Sequence, residues 1–147
     1  LFSRVETHGS ILYEKINSCK TENRKVFFIH GGVDTEEREL VREITEREND
    51  AIIVASYGTF STGINIQNLH NVVFASPSKS RIRNLQSIGR VLRKSKNKNK
   101  AMLYDIADDC SYKSKKNYTL NNFIERVKIY NEENFNYQIS NVIIKGE

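Results

Sequence analysis

The sequence predicts an α/β protein: a doubly wound parallel sheet with a C-terminal helical extension. Three observations predict it. The runs at 25–29, 51–55, 71–76 and 101–107 are continuously apolar or nearly so, rather than alternating, as strands covered on both faces are. Helical periodicity fills most of the intervals between them, which is the signature of crossover units in a parallel sheet. Turn residues close the strands: His30-Gly31-Gly32, Ser56-Tyr57-Gly58 and Pro77. A chain of 147 residues is one domain of ordinary size.

In order along the chain, Ile11, Leu12 and Ile16 recur at helical spacing over 10–20, with Ser10 after Gly9 as the expected N-cap. Val26-Phe27-Phe28-Ile29 is a buried strand leaving through a glycine turn, expected to need positive φ. Asp34 and Glu37 form a capping-box pattern that opens a helix bearing Leu40, Val41 and Ile44, running to about Asn49. The connection between the second and third strands reads as mostly loop. A helix is expected over 80–93, followed by the basic loop KSKNKNK and the last strand. Leu120, Phe123, Ile124 and Val127 make an amphipathic face, so a helix over 119–130 is expected to pack back on the core. Residues 108–118 are the expected mobile loop, and Phe135-Asn136-Tyr137 with Val142-Ile143-Ile144 either extend that helix or form a short strand. Leu1-Phe2 precede a turn like the end of a strand whose beginning is missing, so the chain reads as a fragment.

Composition narrows the function classes. Hydrophobic residues at 38% and charged residues at 28% are globular values. Cys19 and Cys110 have no partners at metal-ligand spacing and make no disulfide framework, so they read as free thiols in a reducing compartment. No apolar stretch reaches the roughly 20 residues of a membrane span and no signal peptide is apparent, so the expected location is cytoplasmic. The net charge of +5 is mild, but its distribution is not even. Arg81, Arg83, Arg90, Arg93, Lys94, Lys96, Lys98 and Lys100 fall in a stretch without acids, while acids collect at 34–50. The loop from Lys94 to Lys100 reads equally as a solvated hairpin or as a track for nucleic-acid phosphates.

Chemistry in open α/β sheets gathers beyond the carboxyl ends of the strands. The candidates there are 3–9, His30 to Gly32, 56–65 and the helix reached through Pro77. On that helix Gln86, Arg90 and Arg93 lie within about 60° of one another, while Leu85, Ile88 and Leu92 form a separate stripe. Gly89 lies between the two faces, where a side chain is expected to block a neighbouring group. Glycine in a helix interior costs about 1 kcal/mol relative to alanine, which calls for a packing or functional reason. Tyr57 and Phe60 flank a buried strand and are assigned to the core rather than to base stacking.

Gln86-Ser-Ile-Gly89-Arg90-Val-Leu-Arg93 matches QxxGRxxR, and here the sequence resembles the superfamily 2 helicases. The match is to their sixth motif. Ala55-Ser-Tyr-Gly-Thr-Phe-Ser-Thr-Gly63-Ile-Asn65 resembles the fifth, and Phe2-Ser3-Arg4 to His8-Gly9 resembles a remnant of the fourth. IIVASYGTFSTGI, NLHNVV and LQSIGRVLRK carry a closer resemblance to the UvsW-type helicases of T4-like phages. The resemblance implies a RecA-like helicase C-terminal domain over 1–108, its first strand truncated, with 109–147 as linker and helical extension. It implies the second motor domain of an ATP-dependent DNA helicase acting on branched or single-stranded DNA in repair and recombination, in a host cytoplasm if phage-encoded. ATP and Mg²⁺ would be held mainly by an N-terminal RecA-like domain of the same parent chain. Arg93 would be the arginine finger, with Arg90 beside it and Gln86 sensing nucleotide. Gly63 and Asn65 would bind nucleotide, Asn65 standing where many relatives have Asp. His30, Gly31 and Gly32 would meet DNA through backbone N–H groups, and Ser56 through its hydroxyl, where many relatives have Thr.

The sequence holds no GxxxxGK[ST] and no DExH-type acidic motif, so this stretch by itself is not expected to hydrolyse ATP. A catalytically inactive basic DNA-binding module is the alternative, disfavoured because a DNA scaffold needs no arginine finger. A dinucleotide-dependent oxidoreductase ranks last, since no GxGxxG follows a strand.

Overall fold

The computed structural model of the chain describes residues 1, 5–63, 65–76, 78, 80–91, 100–113, 115 and 117–144. Strands and helices follow one another as α1 (Ser10–Cys19), β1 (Val26–Ile29), α2 (Thr35–Arg47), β2 (Ile52–Ala55), α3 (Tyr57–Gly63), β3 (Asn71–Phe74), α4 (Arg81–Val91), β4 (Met102–Asp105) and α5 (Tyr118–Glu132). β1 and β2 are parallel, with Val26 beside Ile52 and Ile29 beside Ala55. β3 and β4 are parallel as well, Asn71 beside Met102 and Phe74 beside Asp105. The α/β class with parallel strands is as expected, and the described strands form two βαβ units with α2 and α4 as the crossovers. Leu1 occupies the edge of β3 away from β4. Its amino group donates to the Val73 carbonyl at 2.5 Å and its carbonyl accepts from Ala75 N–H at 3.1 Å, while His70 and Phe74 turn their carbonyls to β4.

The core fills with the strand residues and with the helix faces laid on them. Ile29, Ala55, Ile66 and Phe74 are at most 1% exposed, and burying a side chain the size of Ile or Phe contributes about 1.5–3 kcal/mol. Tyr57 and Phe60 are core residues as well, Tyr57 tilted against Phe74 with ring centroids 5.4 Å apart. α2 starts as its sequence dictates: Asp34 Oδ1 accepts from Glu37 N–H at 2.7 Å, a cap worth about 1 kcal/mol.

Four local expectations are corrected. Ser10 does not cap α1, because a π-helical turn, Val5–Gly9, runs straight into the helix and Gly9 already has helical φ and ψ. The link from β2 to β3 contains the helix α3. Its glycines and threonines are poor helix formers, but Ser56 caps it and Tyr57, Thr59 and Phe60 are buried, so tertiary packing overrides propensity. On α5 the buried stripe is Asn122, Arg126, Ile129 and Tyr130, whereas Leu120, Phe123, Ile124 and Val127 are only half-buried. Residues 135–144 continue neither as helix nor as strand.

The 108–118 segment folds back on itself, Tyr112 and Lys115 exchanging two backbone hydrogen bonds of 3.1 Å with Lys113 at φ 54°. Cys19 and Cys110 are exposed and unbridged. Among the described residues no helix is long and apolar enough to cross a membrane.

Candidate functional site

The carboxyl ends of β1 and β2 bring the His30 turn and Ser56 together. Ser56 N–H donates to the Ile29 carbonyl at 3.0 Å, so α3 begins beside the residue that precedes His30. The Ser56 hydroxyl accepts from Thr59 N–H at 3.3 Å and donates to Thr59 Oγ1 at 2.8 Å. It therefore works first as the N-cap of α3. In the turn, Gly32 N–H donates to His30 Nδ1 at 3.1 Å, which requires that nitrogen to be unprotonated. Arg38 Nη2 donates to the His30 and Gly31 carbonyls at 3.3 and 3.0 Å, fastening α2 to the turn. Of the expected backbone donors to phosphate, Gly32 is thus already engaged by the imidazole.

The expected positive φ is not found, since no described glycine has one. At Gly32 the neighbour is the ring: a Cβ there would stand 3.0 Å from His30 Cε1, so the imidazole would have to give by a few tenths of an ångström.

α4 separates its faces as the periodicity requires, with one correction. Gln86 and Gly89 are exposed and Arg90 is partly exposed, while Ile88 is buried on the opposite side. The stripe expected from Leu85, Ile88 and Leu92 is instead Asn84, Ser87 and Ile88, the first two fully buried, with Leu85 half-buried. Leu92, Arg93 and the basic residues Lys94, Lys96 and Lys98 lie outside the described residues, as do Phe2, Ser3 and Arg4 of the fourth-motif match. A Cβ on Gly89 would meet nothing within 4 Å. The neighbour expected to require a glycine is therefore not among the described residues of this chain. Gly63 closes α3, which packs on α4, whereas Asn65 borders a groove with Gln67 and with Glu39, Arg42 and Glu46 of α2.

Behind the exposed face of α4 is a buried polar network that the sequence reading missed. Arg126 of α5 is 0% exposed. Its Nε and Nη2 donate to the two carboxylate oxygens of Asp105, each at 2.7 Å, and its Nη1 donates to the Ser78 carbonyl at 3.0 Å. Tyr130 O–H donates to the same carboxylate at 2.7 Å. Tyr57 O–H donates to the Ser76 carbonyl at 3.0 Å, and Asn84 Nδ2 to that of Ser78 at 3.3 Å. The β3–α4 loop is thus gripped from α3, α4 and α5. Burial opposes the Arg126 charge, but the Asp105 hydrogen bonds and carboxylate outweigh it and raise its pKa further. Burial likewise pushes the Tyr57 and Tyr130 phenols above their ordinary range, Asp105 adding to the effect at both. The available signal was an arginine on the face of a helix that follows an apolar strand ending in aspartate.

Comparison with known proteins adds four findings. A family model described as the helicase conserved C-terminal domain matches residues 2–95. The chain is 42% identical over 152 aligned positions to the ATP-dependent DNA helicase uvsW of Enterobacteria phage T4, an alignment covering 97% of this chain and 30% of that helicase. The chain therefore spans less than a third of the length of that relative. The crystal structure of T4 UvsW is similar over 93% of this chain and 29% of that one, at 37% identity and a TM-score of 0.69. The C-terminal part of the Fun30 ATPase domain shares the fold, with a TM-score of 0.60 at 19% identity, over 89% of this chain and 47% of that one.

Proposed function

Because the chain belongs to the helicase conserved C-terminal domain family, we propose that it is the second motor domain of an ATP-dependent DNA helicase that remodels branched DNA in repair and recombination. The observation that carries this reading is the outward face of α4. Gln86, Gly89 and Arg90 occupy consecutive turns of one helix, two offering hydrogen bonds or charge and the third offering no side chain at all. That surface suits a partner that brings phosphate oxygens close to helix backbone. ATP, with its Mg²⁺, supplies the phosphoryl group and is held chiefly by an N-terminal RecA-like domain of the parent. Arg90 and Arg93 stabilise the negative charge that builds on the phosphate oxygens during transfer. Gln86 orients the nucleotide, and Gly63 and Asn65 border it.

DNA lies across the carboxyl ends of β1 and β2. Gly31 and Ser56 face it from adjacent strands, with His30 and Arg38 holding the turn in shape.

Gly89→Ala tests the outward face. Alanine meets open space in this chain and removes the glycine penalty, so the isolated domain gains up to about 1 kcal/mol in urea unfolding. In the full-length parent the same methyl lies between α4 and the bound nucleotide, and DNA-stimulated ATP turnover falls at least tenfold. Unchanged turnover in the parent removes the cleft from this face of α4.

The basic loop is tested by salt. Replacing Lys94, Lys96, Lys98 and Lys100 by glutamine reduces the slope of log affinity against log salt by about 3 for DNA binding by the parent. An unchanged slope makes the loop a solvated hairpin.

A further inference from the structure

α5 lies outside the family match, which ends at residue 95, yet its side chains hold the start of α4. Two separate contacts do this. At the buried end, Arg126 spans from Asp105, the last residue of β4, to the Ser78 carbonyl in the loop that leads into α4. At the exposed end, Arg81 at the first turn of α4 pairs with Glu132 and Glu133 at the last turn of α5. Between them both helices bury polar side chains beside the apolar Ile88, Ile129 and Tyr130. Asn84 and Ser87 of α4 and Asn122 and Arg126 of α5 are each at most 3% exposed.

Among the described residues Asn84 Oδ1, Ser87 Oγ and Asn122 Nδ2 have no hydrogen-bond partner, so the directional contacts by which α5 fixes the start of α4 are those of Arg126 and Arg81. A planar guanidinium that satisfies a carboxylate and a carbonyl at once admits little displacement of either. The loop gripped by Arg126 is the one that Tyr57 of α3 holds through Ser76. The position of α4 is therefore set jointly by α3 and α5.

On this basis, and resting on the motor reading above, we infer that Arg126 is a positioning residue for ATP hydrolysis and that α5 is the fixture of the arginine-bearing helix. Arg126 touches neither nucleotide nor DNA. It fixes the start of the helix that carries Arg90, and so where Arg90 stands when the phosphoryl group is transferred. Interactions made only in the transition state are sensitive to displacements of about 1 Å, so the effect falls on kcat and not on KM.

The test uses the full-length parent. Arg126→Lys keeps the charge but loses the fork, and DNA-stimulated kcat falls about tenfold or more while KM for ATP stays within about twofold. The exposed contact gives a second arm that does not depend on the buried one, since surface pairs contribute little to folding. Arg81→Glu lowers kcat about threefold or more, and the triple variant Arg81→Glu/Glu132→Arg/Glu133→Arg restores it. Rescue by exchanged charges reports position, because general loss of stability would not be repaired that way. A folded Arg126→Lys chain with unchanged kcat overturns the inference. If Arg126→Lys does not fold, the Arg81 arm decides: full turnover in Arg81→Glu, or no recovery in the triple variant, overturns it. Arg93→Ala is run in parallel. If that variant also turns over normally, the motor reading itself fails; if it is inactive while the α5 variants are silent, only the role of α5 falls.

Discussion

Replacing Arg93 by alanine in the full-length parent lowers DNA-stimulated ATP turnover by about 10³-fold or more and leaves DNA affinity nearly unchanged. Arg93 follows Arg90 by three residues, the spacing of the two basic positions in QxxGRxxR. Arg90 itself stands on the outward side of α4, opposite buried Ile88. An arginine that meets charge developing on the transferred phosphoryl group contributes chiefly in the transition state, so its loss appears in kcat. DNA affinity is a separate readout, because the proposed backbone contacts come from the β1 and β2 ends. Steady-state ATPase kinetics with a parallel DNA-binding titration measure both. Intact turnover would make the catalytically inactive basic DNA-binding module the better reading.

The second large effect is on stability. Asp105→Ala costs about 3–5 kcal/mol, because it strands the guanidinium of Arg126, which is 0% exposed, without its carboxylate. Tyr130 also loses the acceptor of its hydroxyl. Such a loss is a large share of the 5–15 kcal/mol that holds a typical domain together. Replacing both partners, as in Asp105→Leu/Arg126→Met, recovers most of it, since removing a buried charge pair together leaves no charge unpaired. Urea denaturation of the isolated domain compares the three chains. A loss below about 1 kcal/mol for Asp105→Ala would mean that water reaches Arg126 in solution.

Much of this was legible in the sequence, for identifiable reasons. The apolar runs at 25–29, 51–55, 71–76 and 101–107 each hold a strand of the structure. β1 and β2 are covered along their length as expected, but β3 and β4 are not: Val73, Met102 and Tyr104 are exposed, so it was the continuity of the apolar run and not burial on both faces that marked these two strands. Asp34 caps α2 because the capping box is a local pattern. The outward position of Gln86 and Arg90 followed from helical phase alone. α3 was not legible, because Gly58, Thr59, Thr62 and Gly63 speak against a helix and only the burial of Tyr57 and Phe60 speaks for it. The glycine turn after His30 was identified, but the positive φ expected of it is absent, and what stands close to Gly32 is the ring two residues away.

The sequence by itself determined the order of strands β1 to β4 and of helices α1, α2, α4 and α5, the parallel α/β class and the face of α4 that carries the candidate chemistry. These are set by periodicities of two to four residues, which every local stretch expresses on its own. Only the tertiary structure decided that Arg126 is buried, that its partner is Asp105, 21 residues earlier, and that its remaining hydrogen bond falls on Ser78, 48 residues earlier. A charged side chain enters a core only where a complementary group is already waiting. That complement is created by packing distant segments together, and no local pattern contains it.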